Sequence, residues 1–366
     1  MTNSSSLATA RRRSDRLRNL IDHPDPTDPA VAAERAQLRV LTGDRPTGPL
    51  HIGHYLGTVR NRVELQDKGV ETFLLIADYQ VITDRDALGD IRGNVLGLLA
   101  DYLAAGIDPA RSTVFAHSAV PAANQLMLPF LSLVTEAELH RNPTVKDELA
   151  ASMAKNGRPM SGLLLTYPVH QACDILFCHG NVVPVGQDQL PHIEQARVIA
   201  RRFNERYAGG ERIFAEPEAL LTSSPMITGT DGRKMSKSRG NTVPLGATAD
   251  ETAKIFRKAV TDGERRITFD PERRPEVANL LTIAAEFSGR PAAEIADGIG
   301  DAGAGELKRV VTEAVNEGLA GHRARRAELI ADPGYLLSVL REGNARANEI
   351  ADATLRRVRE AMGTVY

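Results

Sequence analysis

Two histidines and two lysines, far apart in the chain, are the residues whose types and spacing point to chemistry. His51 and His54 stand three apart at the start of 51–59, a stretch that reads as the first turns of a helix, so both imidazoles project from one face. Before them runs a Gly/Pro turn, 42–50, containing Gly43, Arg45, Pro46 and Thr47, and before that the short apolar run 38–41. Strand end, turn and helix start in that order make a phosphate site: amide N–H groups left unpaired at the helix start, together with the dipole, favour an anion. Gly53, between the histidines, would let a flat base lie against the backbone. Lys234 and Lys237 fall in 229–241, a Gly/Ser-rich loop that also holds Met235, Ser236 and Ser238, a mobile cationic arm suited to a polyphosphate.

A second group of polar residues lies on an apolar helical stretch, 167–178, whose Pro168 suits a helix start. Tyr167, Gln171 and Asp174 are spaced i, i+4, i+7, which puts a phenol, an amide and a carboxylate on one face. A buried carboxylate needs a donor, so Asp174 should meet either a structural partner or a ligand N–H. Asp188, in the loop 186–189 after an apolar run containing Val183 and Val185, can accept from sugar hydroxyls or cap the helix that follows.

The elements that must position these groups alternate. Apolar runs at 38–41, 72–78, 112–116 and 182–185 read as strands buried on both faces, and helical patterns cover 87–105, most of 119–166 with a break at 157–159, and 191–207. That alternation predicts an α/β fold with a doubly wound parallel sheet, whose ligand crevice lies outside the carboxyl ends of the strands. His51 and the 186–189 loop both fall at such ends. From 249 onward the spacing is helical, punctuated by Arg257/Lys258, Arg265/Arg266, Arg273/Arg274 and Arg323/Arg325/Arg326, which are either solvated faces or a surface for a polyanion. Residues 343–362 close the chain as an amphipathic helix.

Composition narrows the class. The 366 residues, 42% of them hydrophobic, are ample for a packed core, and a net charge of −2 excludes a polyanion-coating protein while allowing a local basic face for RNA. DNA is not an expected partner. Cys173 and Cys178 share one apolar run with no second pair to complete a metal site, so they read as core, and no metal ligands are assigned. No apolar run reaches the ~18 residues of a membrane span. Residues 1–36, Ser/Arg-rich at the start, read as a disordered tail in preference to a transit peptide.

His51-Ile52-Gly53-His54 and Lys234-Met235-Ser236-Lys237-Ser238 resemble the HIGH and KMSKS signatures of class I aminoacyl-tRNA synthetases. With 167–176 and 183–197 added, the chain from about 40 to 362 resembles the bacterial tryptophanyl-tRNA synthetases in particular. The resemblance implies a Rossmann-like catalytic domain over 37–229, a helical insertion at 119–166 forming a homodimer interface, a KMSKS loop at 230–247 and an all-helical domain at 248–366 that binds the tRNA anticodon. It implies ATP and Mg²⁺ as cofactors, L-tryptophan and tRNA(Trp) as partners, and a cytoplasmic enzyme.

Residue by residue, the resemblance makes His51, His54, Lys234 and Lys237 catalytic. It assigns ATP to these four except His51, and to Arg45, Pro46, Thr47, Gly53, Gly186, Gln187, Asp188, Met226, Met235, Ser236 and Ser238. Tryptophan falls to Leu41, Gly43, Gln80, Tyr167, Gln171, Asp174, Val183, Val185 and Gln189, with Asp174 accepting the indole N–H and Tyr167 and Gln189 holding the α-ammonium group. Lys146 is a secondary pyrophosphate candidate, although Glu148 stands where a further basic residue is expected. Leu41, Gln80 and Gln171 depart from the commoner pattern around the indole, Arg45 replaces a glutamine, and His54 stands where asparagine is frequent. These departures suggest an isoform with an altered indole pocket. They also keep tyrosyl-tRNA synthetases as the runner-up, beside other HxGH nucleotidyltransferases or a paralogue that has lost charging.

Overall fold

Continuous apolar runs become central strands because both of their faces are covered. The structure, a computed structural model, describes residues 2–23, 28–83, 89–156, 160–222 and 227–366. Its strands are β1 Arg39–Asp44, β2 Glu71–Ile76, β3 Ser112–Ala116, β4 Val182–Val185 and β5 Glu218–Leu221. They form one parallel sheet in the order β3-β2-β1-β4-β5. The chain leaves β1 toward one edge and returns through β4 toward the other, so the strand order reverses between β1 and β4. Those two strands register at a single pair, Val40 with Val182, and a crevice opens beyond their carboxyl ends.

β5 is an edge strand that the sequence reading did not anticipate. Its Glu-Ala-Leu-Leu sequence is made of good helix formers, and pairing with β4 overrides that preference.

Before the sheet come α1 Thr2–Asp22 and α2 Pro29–Ala36. The expected disordered tail is therefore folded. Leu17, Leu20 and Ile21 are buried with Leu38, Val182 and Leu220. The Leu221 N–H donates to Ser14 Oγ at 2.8 Å, and Arg18 donates to the Leu221 carbonyl at 2.6 Å. The apolar stripe is confined to the last turns of α1, which is why it is faint in sequence; it covers a sheet edge that would otherwise be open.

Between the strands lie α3 Ile52–His54, a π-helical turn Tyr55–Val59 and α4 Arg60–Asp67, which run on as one rod, then α5 Ile91–Ala104. Next come α6 Pro121–Gln125, α7 Met127–Leu131, α8 Glu136–Arg141, α9 Pro143–Asn156, α10 Gly162–Phe177 and α11 Leu190–Tyr207. α10 begins earlier than expected: Ser161 caps it by accepting from the Leu164 N–H, and Pro168 sits inside the helix. Cys173 and Cys178 are free thiols in the core.

The chain ends in α12 Ala249–Arg257, α13 Pro275–Ser288, α14 Ala292–Ile299, α15 Ala304–Gly318, α16 Ala320–Ala331 and α17 Pro333–Ala361. The buried face of these helices is continuous with that of the sheet layer. Leu280, Val311, Leu336 and Leu340 bury against Leu56, Leu74, Leu98 and Val114 of the sheet layer, so the boundary expected at 248 separates stretches of sequence that share one core. α17 lies directly on β3, where a Cβ on Gly343 would come within 1.8 Å of the Val114 carbonyl oxygen.

Several arginines of the expected basic clusters face inward. Arg274 is buried and grips Asp262, Arg326 donates to the buried Asp101 at 2.7 Å, and Arg323 reaches Thr252 and the Leu245 carbonyl. These are braces between elements. Arg257, Lys258 and Arg273 remain exposed.

Candidate active site

Beyond the carboxyl ends of β1 and β4 lies a cavity of about 610 Å³. The two signature segments meet at its mouth. His51, at the N-cap of α3, is flanked by two backbone hydrogen bonds to the end of the lysine-bearing segment: Ile52 N–H to the Val243 carbonyl at 3.0 Å, and Leu245 N–H to the Leu50 carbonyl at 2.9 Å. Lys237 Nζ donates to the Gly48 carbonyl at 2.7 Å, joining residues 189 apart. The loop is braced from within by buried Asn241. Its Oδ1 accepts from the Ser236 N–H, and its Nδ2 donates to Asp231 Oδ1 and the Lys234 carbonyl.

The helix start serves an anion differently from the sequence expectation. The Ile52 N–H is taken by Val243, and those of His54 and Tyr55 by the His51 carbonyl. Donation falls instead to side chains. His54 Nδ1 accepts from the His51 N–H at 3.3 Å, so the neutral ring carries its proton on Nε2. Burial, and then the neighbouring His54 and Lys237, push His51 down to about 3; burial also lowers His54, with Asp44 opposing. Both rings therefore act near neutrality as N–H donors without charge. Gly53 has a packing reason as well, since a Cβ there would lie 3.0 Å from the His51 ring and from Met235 Sδ.

A buried network that sequence did not reveal stands behind the turn. Asp44 Oδ2 accepts from Arg62 at 2.6 Å and from the Tyr102 hydroxyl at 2.7 Å, and Arg62 also donates to Thr42 Oγ1 and the Gly43 carbonyl. Burial alone would raise Asp44, yet the Arg62 charge holds it at about 2. Arg62 belongs to α4 and Tyr102 to α5, so only folding brings them to the end of β1.

Deeper in, the face predicted for α10 lines the cavity: Tyr167, Gln171 and Asp174 all border it, with Leu41, Gly43, Gln80, Val183, Val185 and Gln189. Gln189 donates its Nε2 to Asp188 Oδ2 at 3.0 Å, a bond that leaves its amide oxygen as an acceptor. Asp188 itself is exposed at the rim and makes no helix-capping bond. The Tyr167 hydroxyl meets His192 Nε2 at 3.1 Å and hydrogen-bonds Glu148; burial, and then Glu148, raise its pKa, and burial pushes His192 down to about 4. Glu148, raised by burial against the opposing charge of Arg45, lines the cavity, whereas Lys146 does not. His192 and Glu148 left no sequence signal beyond Glu148 being acidic where a base was expected.

Asp174 has a structural neighbour. His117, just past β3, places Nε2 2.9 Å from Asp174 Oδ1, an ion-pair contact whose approach is off the line of a hydrogen bond. The His117 ring stacks on His170 at 4.2 Å. Gln80 Nε2 donates to His170 Nδ1 at 3.0 Å, and His170 Nε2–H to Asn124 Oδ1 at 2.6 Å. His117, His170 and Asp174 are metal-ligand types within 4.8 Å of one another. Rings tilted only 22° apart, however, aim their lone pairs in two separate planes, and both His170 nitrogens are engaged. The cluster is built for hydrogen bonding.

Of the remaining expected residues, Arg45, Thr47, His51, His54, Gly186, Met235, Ser236 and Lys237 border the cavity. Pro46, Gly53, Gln187, Asp188 and Lys234 do not; Lys234 is exposed and pairs through its backbone with Thr228. Met226 and the Ser238 side chain lie outside the described residues.

Residues 33–320 match the family described as tRNA synthetases class I (W and Y). The chain is 40% identical over 335 residues to the tryptophan–tRNA ligase of Clostridium longisporum, covering 89% of this chain and 97% of that one. It is 41% identical over 339 residues to the enzyme of that name from Treponema pallidum, covering 89% and 97%. Among solved structures, the Campylobacter jejuni tryptophanyl-tRNA synthetase, complexed with ADP and tryptophan, is 32% identical with a TM-score of 0.77, covering 89% of this chain and all of that one.

Proposed function

We propose, for a chain that belongs to the tryptophan–tRNA ligases of the class I tRNA synthetase family, that it activates L-tryptophan with ATP and transfers it to tRNA(Trp). In the first step the amino acid's carboxylate oxygen attacks the α-phosphorus of ATP and pyrophosphate leaves. In the second, a terminal hydroxyl of the tRNA attacks the activated carbonyl and AMP leaves. The observation that carries this reading is the docking of Lys237 on the 47–48 turn at the mouth of a cavity whose far wall holds Asp174.

The chemistry asked of the protein is positioning and charge neutralisation. His51 and His54 supply neutral N–H donors, and Lys237 and Lys234 supply positive charge to the phosphates. The site residues for tryptophan are those of the α10 face and the 183–189 segment: Asp174 for the indole N–H, Tyr167 and Gln189 for the ammonium group. Asp188 at the rim takes ribose hydroxyls, beside Gly186 and Gln187. Mg²⁺ brought with the nucleotide would add positive charge there; the donors at that end suit phosphate oxygens, and the Asp44 carboxylate behind the turn is already committed to Arg62 and Tyr102.

A homodimer through 119–166 is part of the proposal, supported by the exposure of Leu128 and Met153 on that stretch. So are anticodon contacts by the exposed bases of 248–366 and a cytoplasmic location; no described helix is long and apolar enough to cross a membrane. The polar indole end, with Gln80 tied to His170 and Gln171 beside it, supports reading this chain as an isoform with an altered pocket.

Amino-acid-dependent ATP–pyrophosphate exchange tests the central reading. Exchange with tryptophan and none with tyrosine is expected; exchange with tyrosine alone, or with neither, refutes it. For the isoform, indole-based mimics should inhibit this enzyme more weakly than one carrying the usual pocket residues.

A further inference from the structure

Asp174 is buried on α10 with an imidazole at one oxygen. Apolar Cys173, Ile175 and Val183 are among its surroundings, and burying a carboxylate there is costly unless a cation or a donor partners it. His117 is the group placed to do so. It is almost fully buried, it does not border the cavity, and its Nε2 lies 2.9 Å from Asp174 Oδ1. Its ring is fixed from three sides. His170 stacks on it from α10, the Tyr79 ring packs at 5.6 Å from the segment after β2, and Asp78, held by the Ser118 N–H, supplies a second negative charge. His170 in turn cannot swing away, since Asn124 and Gln80 hold both its nitrogens.

We propose that His117 is the positioning residue for the side-chain end of the amino-acid site, holding Asp174 through Oδ1 and keeping it turned so that Oδ2 accepts the ligand's ring N–H. The proposal rests on the reading of this cavity as the tryptophan site. With one oxygen committed to His117, Asp174 has one oxygen left to accept, which matches a ring that donates one N–H. Burial works against the charged form of His117, and the neighbouring Asp174 and Asp78 outweigh it and raise its pKa, the direction expected of a group that partners a carboxylate.

The test is ATP–pyrophosphate exchange with tryptophan and with its benzothiophene analogue, in which sulfur replaces the ring N–H at nearly equal volume. The unaltered enzyme should prefer tryptophan. His117→Leu should raise KM for tryptophan roughly 10- to 100-fold, the scale of a lost hydrogen bond to a charged group, leave KM for ATP unchanged and erase most of the preference. His117→Gln, whose amide N–H can reach the same oxygen, should restore much of it. If His117→Leu lowers exchange equally with both amino acids, His117 is structural and the proposal falls. Should that variant not fold, His117→Asn, polar but too short to reach Asp174, replaces it, and equal preference in the Asn and Gln variants overturns the proposal. Absence of tryptophan-dependent exchange in the unaltered enzyme overturns the reading of the cavity as well, an outcome separate from loss of the His117 effect alone.

Discussion

Burial leaves His51 and His54 uncharged, so positive charge at the phosphate end of the cavity must come from lysine and arginine side chains, Lys237 and Arg45 among them. Lys237 is half-buried and already rests on the Gly48 carbonyl, so bound phosphate would exchange that neutral acceptor for a charged one over a short distance. Lys237→Ala should therefore lower single-turnover adenylate formation by roughly 10²-fold or more and leave tryptophan binding, measured by calorimetry, near normal. An unchanged rate would remove Lys237 from the chemistry. These residues were legible in the sequence because each signature is a short run whose spacing sets its own geometry. His117, His192, Asp44 and Arg62 were not. Their roles arise from contacts across 18 residues for Asp44 with Arg62 and 25 for Tyr167 with His192, and no local pattern records such meetings.

Among the elements, the lysine-bearing loop differs most from its sequence description as a mobile arm. Its residues fold around Asn241, whose side chain satisfies the Ser236 N–H and the Lys234 carbonyl and ties them to Asp231, and Gly229 is needed because a Cβ there would lie 2.4 Å from that amide. Asn241→Ala should cost the loop about 1–3 kcal/mol through unpaired buried amides. Faster hydrogen exchange across 229–241, with the sheet unchanged, is the expected signature. The four apolar strands were readable since burial on both faces leaves an unbroken hydrophobic run; β5 and α1 were not, because β5 depends on pairing with β4 and α1 on the sheet side chains it covers. Deleting 2–22 should thus uncover Leu38, Val182 and Leu220, and the melting temperature should drop measurably, each such side chain contributing about 1.5–3 kcal/mol when buried.

At the scale of the whole molecule, buried imidazoles set the response to acid. Burial lowers the folded-state pKa of His51, His54, His170, His179, His192 and His322. The unfolded chain takes up protons on these residues below about 6.5 while the folded chain resists, so stability falls as pH drops from there toward about 4 and about 3, the values of His192 and His51. His117 runs the other way: its contribution is complete below about 6.5 and fades as pH rises through its raised folded value. Thermal melts at constant ionic strength should show a lower midpoint at pH 5 than at pH 7. An equal or higher midpoint at pH 5 would mean that these rings are protonated in the folded state.

The seating of Gly343 on Val114 also bears on how the protein is made. β3 is covered by α17, the last helix of the chain, and the same final turns bury Ala347, Ala351 and Leu355 against Phe115 and Phe177. Residues 112–116 leave the ribosome well before Pro333–Ala361, the surface that shelters them. The nascent sheet must therefore wait, with one flank bare, until that helix has emerged. A message truncated within α17 would yield a product with every signature residue in place and no means of closing its core.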